Sequence, residues 1–262
     1  MAITRTVSAR GIPFALALLL ALPPGCGGGD DDGGSGAELF GGSARELVPH
    51  ETGRSAAFRV TARQDGRTGV SRFTSTVTDG GDDGFTTRYV SENGSVAEGT
   101  ARDLGDEIRI VRFVNDPGGP DEDVVTPEPP VVVVRTPVIA GEPIETGFAR
   151  TLELELRVGS GTERRAVLFT GRARRVPRER GPVRVADGTW DDAIRYAVEA
   201  SGEATIPILG QGVPLRVEVT GDEWFAVGFG GVREDLAVTI RAGDERATVT
   251  FATEREGSPP GG

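Results

Sequence analysis

The 262-residue chain predicts an all-β fold, a curved antiparallel sheet taking the form of a half-barrel, an open barrel or a sandwich. Three observations carry that expectation. Leu152, Leu154, Leu156 and Val158 alternate with Glu153, Glu155 and Arg157, and Ile194, Tyr196 and Val198 alternate with Arg195, Ala197 and Glu199. Val249 and Phe251 do the same against Thr248 and Thr250. Successive strand side chains point to opposite faces, so this period buries one face and leaves the other in water. Turn-forming stretches stand between such segments: Asp65-Gly66, Asp79-Gly80-Gly81, Asn93-Gly94, Gly159-Ser160-Gly161, Asp187-Gly188 and Ala242-Gly243-Asp244. Asn-Gly and Asp-Gly tolerate positive φ and close tight hairpins. Finally, no segment carries the apolar period of an ordinary helix; Trp190 to Ala200 comes nearest, and its alternation reads as strand.

The elements follow in chain order. Residues 1–25 read as an export signal. Arg5 and Arg10 precede an eleven-residue apolar run, Ile12 to Leu22, which is too short for a bilayer-spanning helix and suits the core of a signal peptide. Leu22-Pro23-Pro24-Gly25-Cys26 then resembles the lipobox of bacterial lipoproteins, with a small residue directly before a cysteine. That resemblance implies removal of the leader, acylation of Cys26 and anchoring in a membrane, with Gly27 after the cysteine resembling lipoproteins sent on to the outer membrane. An ordinary signal peptide cut near Ala21 is the alternative. Gly27 to Gly36 contains no apolar residue, so residues 26–42 are expected to form a flexible tether. A calcium loop at Asp30, Asp31 and Asp32 lacks the alternating ligands and closing glutamate of an EF-hand.

Residues 43–255 form the predicted β-domain, and 256–262 a disordered tail. Within the domain, Val114 to Val134 opens in a stretch rich in Pro, Gly and Asp and ends in an apolar run. The prolines exclude the first part from a central strand, which makes it a connection between sub-blocks 43–116 and 131–253. These are two halves of one sheet or two small domains. Leu47 to Val60 and Thr136 to Thr151 share a proline-containing entry, a glycine and a strand, either by duplication or by chance.

Those two entries, together with Gly188-Thr189-Trp190-Asp191-Asp192-Ala193-Ile194 and the segment Trp224 to Glu234, resemble β-rich bacterial lipoproteins of uncharacterised function with a TapB-like domain. The resemblance spans about residues 45 to 240 of the chain. It implies a strongly curved antiparallel sheet akin to the half-barrels that carry lipids and lipoproteins, and it transfers no catalytic residue.

Composition narrows the function classes. The net charge is −11, and it becomes more negative once the two leader arginines are removed. All basic side chains are arginine. Such a surface repels nucleic acid, because phosphate binding needs clustered cations. A single cysteine excludes an internal disulfide and a cysteine-based zinc cluster. The lone histidine, His50, is expected to be solvent-exposed or to cap a turn, and no G-x-S-x-G motif supplies a nucleophile. Acidic pairs such as Asp191/Asp192 and Glu142/Glu145 read as solvating charge; a hydrolase would have to use one of them or His50. Gly228, Gly230 and Gly231 lack dinucleotide-loop spacing and read as a bend or bulge between strands, with Trp224 and Phe225 packing beside it. One basic run stands out. Arg172, Arg174, Arg175, Arg178 and Arg180 form a candidate patch for an anionic partner, or a strand end that balances the acidic excess.

The expectation is a lipid-anchored, non-enzymatic binding or structural module of the cell envelope, with no catalytic residue, metal or cofactor. Its partners would be the membrane, through Cys26, and an envelope protein, lipid or polysaccharide. A lipid or lipoprotein carrier is the alternative, and a hydrolase a more distant one. The mass of the mature N-terminus tests the anchor: a species beginning at Cys26 that carries a diacylglycerol and an amide-linked acyl chain is expected, and an unlipidated N-terminus on either side of Cys26 overturns it.

Overall fold

A sheet that buries one face without a second layer must curl over itself, and the strands here are long enough to do so. The computed structural model describes residues 36–120, 122–158, 161–208 and 211–257. The leader, Cys26 and residues 258–262 lie outside them. Strands β1 (Glu38–Phe40), β2 (Ser55–Gln64), β3 (Arg67–Gly80), β4 (Gly84–Ser91), β5 (Val96–Asp103) and β6 (Glu107–Asn115) are followed by β7 (Asp123–Val125), β8 (Val131–Arg135) and β9 (Val138–Ile139). The second run comprises β10 (Ile144–Val158), β11 (Gly161–Val185), β12 (Gly188–Ile208), β13 (Gln211–Ala226), β14 (Gly230–Ala242) and β15 (Glu245–Arg255). One short helix, α1 (Ala44–Leu47), precedes β2.

All the long strands belong to one antiparallel sheet in the order β10-β11-β12-β13-β14-β15-β2-β3-β4-β5-β6-β7, and β8 pairs separately with β6. The two sub-blocks are therefore joined edge to edge, with Arg255↔Phe58, Thr253↔Val60 and Phe251↔Ala62 among the pairs that hold β15 to β2. Tight turns join β2 to β3 and β14 to β15. At the β2–β3 turn Asp65 has φ 49° and Gly66 φ 75°, the positive pair that a right-twisted two-residue hairpin requires.

Curvature has identifiable causes. Bulges interrupt the register at Pro177/Glu179, Gly181/Val183 and Trp224/Phe225, and each bends its strand. Glycines let neighbouring strands approach closely. Gly171 pairs with both Phe148 and Gly202, and a Cβ at Gly171 would stand 2.4 Å from Phe148 Cζ and from Ser201 O. At Gly202 a Cβ would meet the Phe169 ring at 2.3 Å. The two rings, 5.8 Å apart, occupy the space that those glycines leave open.

The curl brings the far edges of the sheet towards each other without closing a barrel. One core cluster joins Ile144 of β10 and Ile194 and Tyr196 of β12 to Ile108 of β6 and Val132 and Val134 of β8, with Leu47 of α1 and Phe40 of β1 packed among them. A second core, Val198, Val219, Leu236 and Val238, lies along β12–β14. The predicted tether is shorter than its expected bounds at 26–42: Glu38 and Phe40 pair with Ile139 and Val138, and Phe40 is buried. An apolar Leu39-Phe40 pair within a polar segment found a short partner, β9, that alternation alone does not reveal. At the other end Glu256 and Gly257 are tied down, by Arg72 and by the Asp187 carboxylate, so these two residues depart from the tail predicted at 256–262, the rest of which lies outside the described residues.

Gly221 offers a direct test of close strand approach. Its Cβ would lie 2.0 Å from Asp235 O on the paired strand, so Gly221→Ala should cost about 2–3 kcal/mol in urea unfolding. Gly69→Ala, where a Cβ meets no atom within 4 Å, should stay within about 0.5 kcal/mol of the parent.

Candidate functional site

The concave face is only partly filled by the chain's own side chains. Alternation directs Phe58 and Val60 of β2, Phe73 of β3, Tyr89 of β4, Phe113 of β6 and Leu236 of β14 inward, and they line a cavity of about 410 Å³. Small-molecule sites typically span about 300–1,000 Å³. Its wall contains an aromatic strip that crosses four strands. Phe58 stacks on Phe73 at 4.9 Å and 13°, Phe73 tilts against Tyr89 at 6.3 Å, and Tyr89 against Phe113 at 6.3 Å. Gly99 lies beneath the last two rings, where a Cβ would touch both.

Two polar groups interrupt this lining. The first is built on β11, β13 and β14. Arg175 is 5% exposed and pairs with Glu223, 8% exposed, while also donating to the backbone carbonyl of Val133 on β8. Its guanidinium lies 5.6 Å from the Tyr196 ring centre and 5.4 Å from that of Phe225. Burial pushes the Tyr196 hydroxyl well above the ordinary phenol range, and that hydroxyl has no hydrogen-bond partner among the described residues. Directly across from Glu223 in the β13–β14 register stands Glu234. Burial first, and then the charge of Glu223, push its carboxyl up to about 7.

The second group surrounds the β13–β14 turn, Val227 to Phe229. Gly228 N donates to Glu46 O of α1, and Val227 N to Asp192 O. Arg54 donates to Gly228 O and Arg255 to Phe229 O. Both guanidinium groups flank the Phe229 ring, at 5.8 and 6.0 Å from its centre, and Arg255 also lies 5.5 Å from that of Trp190. Arg54 reaches Glu51 at 3.3 Å, a carboxylate that is 69% exposed. For Arg255 no carboxylate partner occurs among the described residues. Burial, and secondarily the charge of Arg54, lower its pKa below the ordinary guanidinium value.

The arginine run is dispersed by the fold. Arg175 points into the core, whereas Arg172, Arg174, Arg178 and Arg180 are exposed. Arg180 engages both carboxylate oxygens of Asp192, Arg174 lies 3.1 Å from Glu145, and Arg178 is the extra residue of a bulge. His50 departs from the solvent-exposed alternative, for it is 3% exposed. Its ring stacks on Phe85 at 4.4 Å, Nδ1 meets Val48 O at 2.9 Å, and Nε2 lies 3.3 Å from Asp103 Oδ2. Phe85 lies on β4 and Asp103 on β5, and a proline-flanked histidine gives no sign of partners so distant in sequence. Gly228 and Gly230 form the bend between β13 and β14 that was expected of them. Among the described residues no three His, Cys, Asp or Glu side chains gather as metal ligands would.

Sequence reasoning missed Glu223, Glu234, Arg54 and Arg255. A signal was present for one of them: Val232, Leu236, Val238 and Ile240 define an inward phase, and Glu234 falls on it. A charge in the apolar phase of a strand marks a cavity or a buried pair.

No family model and no curated protein matches the chain. Among solved structures, a crystal structure of a Bacteroides fragilis protein, described as exported and of YmcC-like fold, is 13% identical and covers 84% of this chain and 100% of its own, with a TM-score of 0.32. A superposition that loose carries no inference about this chain.

Glu234 makes stability depend on pH. Its folded-state pKa, about 7, exceeds the ordinary value of 4.5, so between those values the folded state keeps a proton that the unfolded state has lost. Stability should fall as pH rises through that window and level off above it. The loss is on the order of 2 kcal/mol, less than the full shift implies because part of the side chain opens on the cavity. Glu234→Gln should flatten the profile and be the more stable protein at pH 8, as read by urea midpoints from pH 4.5 to 8.

Proposed function

We propose that this chain is an exported lipoprotein of the cell envelope, held to the outer membrane through acylated Cys26, and that its curled sheet is a non-enzymatic module binding an apolar chain on the concave face. The observation that carries the reading is the aromatic-lined cavity of about 410 Å³ between the two halves of the sheet. An apolar wall of this kind left open to water forfeits about 25 cal/mol for every Å² that an occupant would cover. A single acyl chain gains about 0.8 kcal/mol for each buried CH₂, so a few methylenes suffice for useful affinity. The leader and lipobox-like segment support export and anchoring, and the likeness to β-rich lipoproteins with a TapB-like domain agrees with a curved sheet. The dispersal of the arginine run, with Arg175 internal and Arg174 and Arg180 paired to carboxylates, favours the cavity over that patch as the binding site.

Soluble Cys26→Ala protein, purified from the envelope fraction and extracted into organic solvent, should yield a stoichiometric lipid by mass spectrometry. Ala56→Trp, which places an indole among the cavity-lining residues, should lower binding of a fluorescent fatty acid at least tenfold with little change in thermal midpoint. Absence of lipid from the extract, together with equal probe binding by parent and Ala56→Trp protein, sinks the reading.

A further inference from the structure

The cavity reading leaves open what kind of apolar molecule would fit, and the β13–β14 turn bears on this. Arg54 and Arg255 both line the cavity, both donate to adjacent carbonyls of one turn, and both flank the Phe229 ring. They are like charges, and that of Arg54 disfavours the ionised form of Arg255. Other partly buried arginines of this sheet meet carboxylates: Arg195 engages Asp222 and Glu179, Arg59 engages Glu254, and Arg233 engages Asp235. Arg255 is the departure. It is drawn partly out of water into an aromatic surround, and a carbonyl oxygen accepts from it where its neighbours meet a carboxylate. Removing a guanidinium from water without a counter-charge is costly, and a nearby second cation adds to the cost. An anion within reach of both would supply the counter-charge that Arg255 lacks, and a planar guanidinium matches carboxylate and phosphate oxygens in pairs.

We infer that the cavity takes a single-chain amphiphile with an anionic head, its carboxylate or phosphate received by Arg255 and Arg54 beside the β13–β14 turn and its tail lying along the strip from Phe58 to Phe113. This rests on the cavity being a binding site. The anchoring of that turn by Glu46 of α1 and by Asp192 holds the receiving carbonyls and arginines in place before a ligand arrives. Arg175 supplies no second receiver, because Glu223 already neutralises it.

Calorimetric titrations at pH 8, below micellar concentrations, compare palmitate, hexadecyl phosphate and hexadecanol on Cys26→Ala protein. One or both anions should bind at least tenfold more tightly than the alcohol, since a charge-assisted pair is made only with the former. Arg255→Gln should remove that preference and leave hexadecanol affinity within twofold. Stronger binding of the phosphate identifies a phospholipid-type head, and stronger binding of palmitate a free fatty acid. Equal binding of all three by the parent overturns the head-group assignment while leaving the cavity reading intact. Equal weakening of all three by Arg255→Gln also overturns it, as the residue then acts on the fold. Failure of all three to bind overturns both.

Discussion

One antiparallel seam, β15 against β2, holds the two runs of the chain in a single sheet. Without it the first five long strands and the last six would be separate ribbons, each with an apolar face too narrow to cover itself. With it, the apolar faces of β2–β6 and β13–β15 become the walls of one concavity. Phe58, Val60, Phe251 and Thr253 all stand at the seam and line the cavity from both sides. The polar turn at Phe229 is tied to it as well, for Arg255 is the last residue of β15 and Arg54 immediately precedes β2.

The rest of the architecture answers the problem of burying so large a face. Bulges and close-approach glycines bend the strands, and aromatic rings settle over the glycines. The distant edges then share the core around Ile108, Val134, Ile194 and Tyr196, with α1 and β1 as a plug. The plug fills one part of the interior and leaves another part open. Where charge enters the lining, it comes as a neutralised pair, Arg175 with Glu223, or as a carboxyl whose proton is retained near neutral pH, Glu234. Arg255 fits neither pattern.

Much of this fold was legible in the residues. Alternation at Ile194, Tyr196 and Val198 marks β12, and the turn at Asp65-Gly66 is the one its residue types demand. Alternation reports which face a residue occupies but is silent on which strand lies alongside, so the β15–β2 seam could not be read, nor could the choice between one sheet and two domains. The same silence explains β1 and β9, three- and two-residue strands with too few positions to show a period. At the site, Arg175 could not be told from Arg174 or Arg178 while the run was treated as a unit. Counting in steps of two from Val167, Phe169 and Ala173 would have placed Arg175 inside. His50 gave no such handle, because Phe85 and Asp103, which it meets, come from strands distant in sequence.

The seam also sets the order in which the molecule can be made. Arg59 and Glu254, partners across it, are separated by 195 positions, so nearly the whole chain must be synthesised and, in an exported protein, translocated before the sheet is continuous. Closing a loop of that length is entropically expensive, and non-local pairing of this kind slows folding. Until then β2 presents an open edge to its surroundings. That edge carries Arg59 and Arg63, charges that discourage pairing with a stranger's strand yet find Glu254 and Thr250 opposite them when β15 arrives. The same arginines that finish the sheet thus guard it while it is unfinished.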